Sequence, residues 1–159
     1  MRDAVTVTIR PATTLDCAQI LEAHTQAIRV LCLAEYSETQ LAGWAERLTP
    51  EGYLPAIERN IFLVAEHDGR VVGFGELSLD RAEVVATYVH PEFARGGVGT
   101  QILRSMMNIA ERNGVGALHL SSSLSAVPFY ERLGFVPGKR SVHRLGNGTE
   151  IPCIAMSRG

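Results

Sequence analysis

The sequence predicts a mixed α/β (α+β) domain on one seven-stranded, mostly antiparallel sheet with helices on both faces. Three observations predict it. Three β-type segments follow one another between residues 61 and 89, and Asp68-Gly69 between the first two is a hairpin-turn pair. A strongly periodic helix then separates the third segment from a further strand, so that strand should run parallel to the third. Two last strands follow, joined by Leu145-Gly146-Asn147-Gly148.

Each element has its own signal. Residues 5–10 (VTVTIR) alternate and form the first strand candidate, which Pro11 ends. Thr14 or Asp16 can cap a helix reaching about Leu33, with Ile20, Leu21, Ala27, Ile28 and Leu31 on its apolar side. Ser37 caps a second helix carrying Leu41, Trp44 and Leu48, and Gln40 completes a capping box. Thr49-Pro50-Glu51-Gly52 is a turn, followed by one more helical turn at 54–59. Strands follow at 61–66, 71–79 and 83–89, with Gly73 and Gly75 marking bulges or close packing in the second. The helix at 97–113 stops at Gly114. Residues 117–121 are the fifth strand. Residues 126–133 are a short helix with Ser125 as its cap and Pro128 in its first turn, where a missing N–H costs nothing. Residues 135–144 and 150–157 are the last two strands.

Composition narrows the function. The 159 residues suit a single domain, 1–159, large enough to bury a core without covalent staples. A net charge of −2 leaves no basic excess for binding nucleic acid. No apolar run approaches a membrane span, and the N-terminal MRDAVTVTIRP lacks the apolar core of a signal peptide. The three cysteines, Cys17, Cys32 and Cys153, are an odd number without CxxC spacing, so a reducing cytoplasm is the expected setting. The five histidines are scattered, and no metal is expected.

The chain is organised around residues 83–100, EVVATYVHPEFARGGVGT: a strand, a glycine-rich turn and a helix start. Such a unit lets backbone N–H groups converge on an anion with help from the helix dipole. No GxxxxGK[ST] loop is present, and neither the spacing nor the strand order of a dinucleotide fingerprint is met. A tight turn that binds nothing remains the alternative at this point.

Two motifs and the element order give the turn a meaning. VHPEFARGGVG resembles the acyl-CoA-binding motif of the GNAT superfamily of N-acetyltransferases, with Gly97 and Gly99 at its glycine positions. Ala94 stands where the family usually has Gln or Arg. SLSAVPFYERLGF resembles the family's later motif, a helix with an F-Y pair ending at G-F, with Ser125 where Asn is frequent. The resemblance implies a GNAT fold with splayed fourth and fifth strands and acetyl-CoA as cosubstrate. Pantetheine would lie along the main chain of Tyr88 and Val89. The pyrophosphate would sit on Ala94, Arg95, Gly96, Gly97, Val98, Gly99 and Thr100, with Ser125 and Phe129 at the cofactor. The implied reaction is direct acetyl transfer to a primary amine of a small molecule. A non-catalytic acyl-CoA sensor and a lysine or N-terminal protein acetyltransferase are the alternatives.

Direct aminolysis of a thioester needs a neutral amine, a donor for the oxyanion and a proton for the leaving thiolate. Tyr130 of the F-Y pair is the candidate acid implied by the motif, and an ordinary phenol value of ~10 keeps it protonated. Glu83 is the candidate base, with Val85, Thr87 and Val89 on its strand face. Glu76 is its rival, and a plain surface carboxylate is the other reading. His90, His119 and His143 are further base candidates by side-chain type. The N–H of Val89 is the candidate oxyanion donor. Tyr36 and Trp44 could line an acceptor pocket or simply pack helices, with Arg29, Cys32 and His143 as rim groups. The final hairpin could carry a homodimer.

Overall fold

The computed structural model describes residues 4–159. Seven strands form one sheet: β1 (Thr8–Pro11), β2 (Ile61–His67), β3 (Arg70–Ser78), β4 (Glu83–Val89), β5 (Leu118–Ser123), β6 (Val136–Arg144) and β7 (Glu150–Arg158). Their order is β1-β2-β3-β4-β5-β7-β6, and every pair is antiparallel except β4 with β5. The helices are α1 (Cys17–Gln26), α2 (Glu38–Glu46), α3 (Leu54–Arg59), α4 (Val98–Arg112) and α5 (Val127–Arg132). This is the mixed, mostly antiparallel sheet that the sequence predicts. No helix among the described residues is long and apolar enough to cross a membrane.

The two sheet faces bury different sets. On one side α4 lays Ile102, Leu103, Met106 and Ala110 against Leu63, Ala65, Val72, Leu77 and Val84, with Tyr130 and Phe135 from the α5 region. On the other, Cys17 and Ile20 of α1 and Tyr53 meet Phe62, Val64, Val71 and Phe74. Gly73 and Gly75 let α4 sit close: a Cβ on Gly75 would lie 2.5 Å from Ile102 Cγ2. A third cluster, Ile28, Cys32, Tyr36, Leu41, Trp44, Leu145 and Ile151, ties the corner between α1 and α2 to the last hairpin.

Several local signals act as predicted. Ser37 accepts from Gln40 N–H at 3.1 Å while Gln40 Oε1 accepts from Ser37 N–H at 3.0 Å. Asp68 and Gly69 both take positive φ, 48° and 79°, as a two-residue hairpin turn requires.

Others differ for physical reasons. β1 starts at Thr8, because Val5 N–H leaves the sheet and binds Gly96 O at 2.9 Å. The first cap is Thr13, neither Thr14 nor Asp16. Asp16 completes Thr13's capping box from its third position and is held by a two-pronged ion pair from Arg10 at 2.8 and 2.9 Å. The first helix is not a single α-helix to Leu33. After α1 it widens into a π-turn, Ala27–Leu31. Ser125 is not a helix cap: it lies within a 3-10 turn, Leu124–Ala126, that precedes α5.

Candidate active site

The site begins where the sheet comes apart. β4 and β5 share one ladder position, Glu83 with His119. Beyond it β5 keeps its partner on the other side, pairing with β7 as far as Ser123 with Cys153. The far halves of β4 and β5 therefore diverge and enclose a cavity of about 610 Å³. His90 N–H binds back to Val72 O at 2.8 Å, so by strand alternation the N–H of Val89 faces the gap.

At one end of the cavity lies the glycine turn. Arg95 and Gly97 both hold positive φ, 65° and 85°, and Gly97 is the N-cap residue of α4. The first intrahelical bond runs from Gln101 N–H to Gly97 O at 3.1 Å. The N–H groups of Val98, Gly99 and Thr100 precede it and point out of the helix toward the cavity they line. Gly99 lets the Phe129 ring approach, since a Cβ there would lie 3.3 Å from two ring atoms. Arg95 and Arg132 add two guanidinium groups to the wall. Converging N–H groups, a helix N-terminus and two cations fit a phosphate-bearing ligand.

Hydroxyls gather at the fork. Tyr130 is buried, and burial pushes its phenol above the ordinary tyrosine value, opposed in small part by the Thr87 hydroxyl. The approach of Thr87 falls short of ordinary hydrogen-bond geometry, so Thr87 Oγ1 is buried with its bonding capacity unspent. Ser125 Oγ is in the same condition, beside Cys32, whose thiol burial also raises. The Tyr88 phenol is pushed up by burial too, then by proximity to Tyr130, Cys32 and Tyr36. An unpaired buried hydroxyl costs ~1–3 kcal/mol, and a bound carbonyl or amide would relieve that cost.

The candidate residues divide accordingly. Tyr130, Tyr88, Val89, Ala94, Arg95, Gly97, Val98, Gly99, Thr100, Ser125 and Phe129 all line the cavity. Gly96 does not: it packs on Val5, where a Cβ would collide. Glu83 does not either. It pairs with Arg81 at 3.1 Å at the closed end of the fork. Simple alternation put Glu83 on the face of Val89, but the register slips between Glu76 and Leu77, opposite Ala86 and Val84. That bulge at Val85 turns Val84 to the α4 side with Val89 and moves Glu83 off it. Glu76 accepts from Asn60 at 2.7 Å and is also outside the cavity lining.

The acceptor candidates are structural. The Tyr36 hydroxyl donates to Pro152 O at 2.6 Å and accepts from Leu124 N–H at 2.9 Å. Trp44 packs edge-on against that ring at 5.6 Å. His143 is exposed on β6, the outer edge of the sheet, and Arg29 is likewise outside the lining. His90 Nδ1 accepts from Glu92 N–H at 3.2 Å, and His119 Nε2 donates to Arg81 O at 2.8 Å, so both hold main chain. Of the rim candidates Cys32 alone reaches the cavity. Sequence reasoning missed Ala27, Leu31, Val85 and Arg132. Arg132 carried one usable signal, a cation two residues after the F-Y pair.

The family model of the acetyltransferase (GNAT) domain matches residues 32–151. The chain belongs to the GNAT acetyltransferase family. An uncharacterized N-acetyltransferase of Methanocaldococcus jannaschii is 28% identical over 142 residues, covering 82% of this chain and 61% of that relative's length. This GNAT chain thus spans about three-fifths of that relative. The crystal structure of a GCN5-related N-acetyltransferase from Rhodopseudomonas palustris superposes with a TM-score of 0.93 at 24% identity, over 100% of this chain and 99% of that one. The PaiA N-acetyltransferase of Thermoplasma acidophilum, solved in complex with coenzyme A, has a TM-score of 0.78 at 22% identity, over 97% and 99% of the two chains. At these identities the superpositions show a shared fold, the GNAT sheet with β7 between β5 and β6.

Proposed function

We propose that the chain transfers the acetyl group of acetyl-CoA directly to a primary amine of a small molecule. The observation that carries this reading is the fork itself. A protonated phenol, Tyr130, shares one cavity with the free N–H groups that open α4, and the gap between β4 and β5 connects them. In this reading the N–H groups of Val98, Gly99 and Thr100, with Arg95 and Arg132, hold the pyrophosphate. The gap-facing main chain of Val89 pairs with the pantetheine amides as an added strand would, while the Tyr88 carbonyl turns toward Gly73 of β3.

Each reaction requirement then has a group. The amine nitrogen attacks the thioester carbonyl carbon. Val89 N–H donates to the oxygen as negative charge develops there. The carbon–sulfur bond breaks, and Tyr130 gives its phenol proton to the departing sulfur. Burial holds that phenol protonated across the neutral range, so the acid is present whenever substrate binds.

The test follows free thiol released from acetyl-CoA with a panel of amines. Tyr130→Phe should lower kcat by ~10²-fold or more with little change in KM for acetyl-CoA. Glu83→Gln should leave kcat unchanged. Tight acetyl-CoA binding without turnover on any amine would replace the transferase reading with an acyl-CoA sensor.

A further inference from the structure

The acceptor end of the cavity has a distinct chemistry. Its wall comes from the π-turn after α1 (Ala27, Leu31), from Cys32 just beyond it, and from β4 at Val85 and Tyr88. Leu31 and Val85 are 43% and 36% exposed, large apolar side chains left open at the cavity. Among the described residues lining the cavity none is Asp, Glu or His. Its titratable groups are Cys32 from the π-turn side, Tyr88 from β4, Arg95 from the glycine turn, and Tyr130 and Arg132 from α5. β5 contributes only Ser121 and Ser123. Behind the wall, His24 lies against the Tyr88 ring at 4.3 Å, Arg47 acts on Tyr88 from outside, and the exposed carboxylate of Glu35 acts on Cys32 without lining the cavity.

We infer that the acceptor is a weakly basic amine on an apolar body, an arylamine in the simplest case, which enters this site uncharged. The inference rests on the proposed transferase function and names its substrate class. Two considerations carry it. An alkylammonium would give up its water against Leu31 and Val85, with no carboxylate in the lining to receive it. Proton accounting points the same way. With a neutral amine, the Tyr130 phenol gives one proton to sulfur and takes one back from the acylated nitrogen, so the acid is regenerated. An ammonium must first lose a further proton, and no lining group accepts one near neutrality: burial keeps Cys32, Tyr88 and Tyr130 protonated, and the guanidinium groups are already full.

The experiment compares p-toluidine, benzylamine and an alanine-started peptide amide with acetyl-CoA and the full chain, reading kcat/KM across neutral and mildly alkaline pH. Nitrogen basicity separates them: p-toluidine is neutral throughout, a peptide α-amine titrates at ~8, and an alkylamine sits near the lysine value of ~10.4. The expected result is a flat pH profile for p-toluidine and at least a ~10-fold preference for it over benzylamine at neutral pH. Benzylamine should rise about tenfold per pH unit, tracking its own neutral fraction. Leu31→Glu, which places a carboxylate in the wall at an exposed position, should shift the preference toward benzylamine about tenfold. Glu35→Gln should change neither profile. A benzylamine or peptide preference at neutral pH, or an unchanged ratio in Leu31→Glu, overturns the inference while leaving the transferase intact. Turnover of no amine overturns the transferase reading, and the acceptor class with it.

Discussion

His24 sets a limit on how far this fold tolerates acid. The ring is buried between Tyr53, Phe74 and Tyr88, and its Nδ1 is 2.9 Å from the Tyr53 hydroxyl. Burial, assisted by the positive charge of Arg47, lowers it from 6.5 to about 3. The direction of the effect follows. As pH falls through 6.5 the unfolded chain takes up a proton, and the folded chain does so only near 3. Stability therefore drops progressively across that interval. A single site with those two values loses ~2 kcal/mol between about pH 7.5 and about pH 5. Asp16 does not contaminate the window: Arg10 lowers its carboxyl below the ordinary 3.8, so its contribution is present above that value and lost only below it. The assay is urea unfolding of the wild type and His24→Gln at both pH values. Loss of the Tyr53 bond lowers the variant's stability at both, so the readout is the difference between the two pH changes. The wild type should lose ~2 kcal/mol more than the variant on acidification. Equal losses would show that His24 binds its proton in the folded state as readily as in the unfolded one, and the reasoning from burial would be refuted.

Three further outcomes are expected. Gly75→Ala drives a methyl into Ile102 and Met106 and should cost ~1–3 kcal/mol in chemical denaturation, because α4 must lift off the sheet. Tyr36→Phe strands the carbonyl of Pro152 and the N–H of Leu124; it should cost ~1–3 kcal/mol by the same measurement, with KM for the amine unchanged because Tyr36 does not line the cavity. Gly97→Ala meets open space but keeps φ at +85°, so its cost is backbone strain of ~1–2 kcal/mol; thermal melts with and without coenzyme A should show the ligand's stabilisation reduced as well.

The features legible in the sequence were those written in local chemistry. Ser37 and Gln40 announce a capping box because both partners lie within one turn. Asp68-Gly69 announces a hairpin because few other pairs accept two positive φ angles. The glycine turn and the F-Y pair were readable for the same reason, and they located most of the cavity. The illegible features depend on an extra residue that no composition reveals. Alternation along β4 holds only until the bulge at Val85, and that single slip removes Glu83 from the face it was expected to share. Helical periodicity beyond α1 fails at the π-turn, which hides the roles of Ala27 and Leu31. Tyr36 and Trp44 failed differently. An aromatic side chain at a helix corner has the same apolar signature whether it meets a ligand or a neighbouring helix, and here a main-chain carbonyl and N–H already occupy the Tyr36 hydroxyl.

The π-turn also bears on how such a pocket can change over generations. A π-turn is an α-helix carrying one surplus residue. Deleting a solvent-facing position such as Val30 would let the ordinary helical ladder continue, swinging everything after it by about 100°. Leu31 and Cys32 would leave the wall, and other side chains would replace them. In the proposed reading, acceptor preference is therefore coded partly in segment length, apart from residue identity. On that reading one codon gained or lost here changes the substrate, while the anion cradle at the start of α4, built from a separate segment, keeps its own residues.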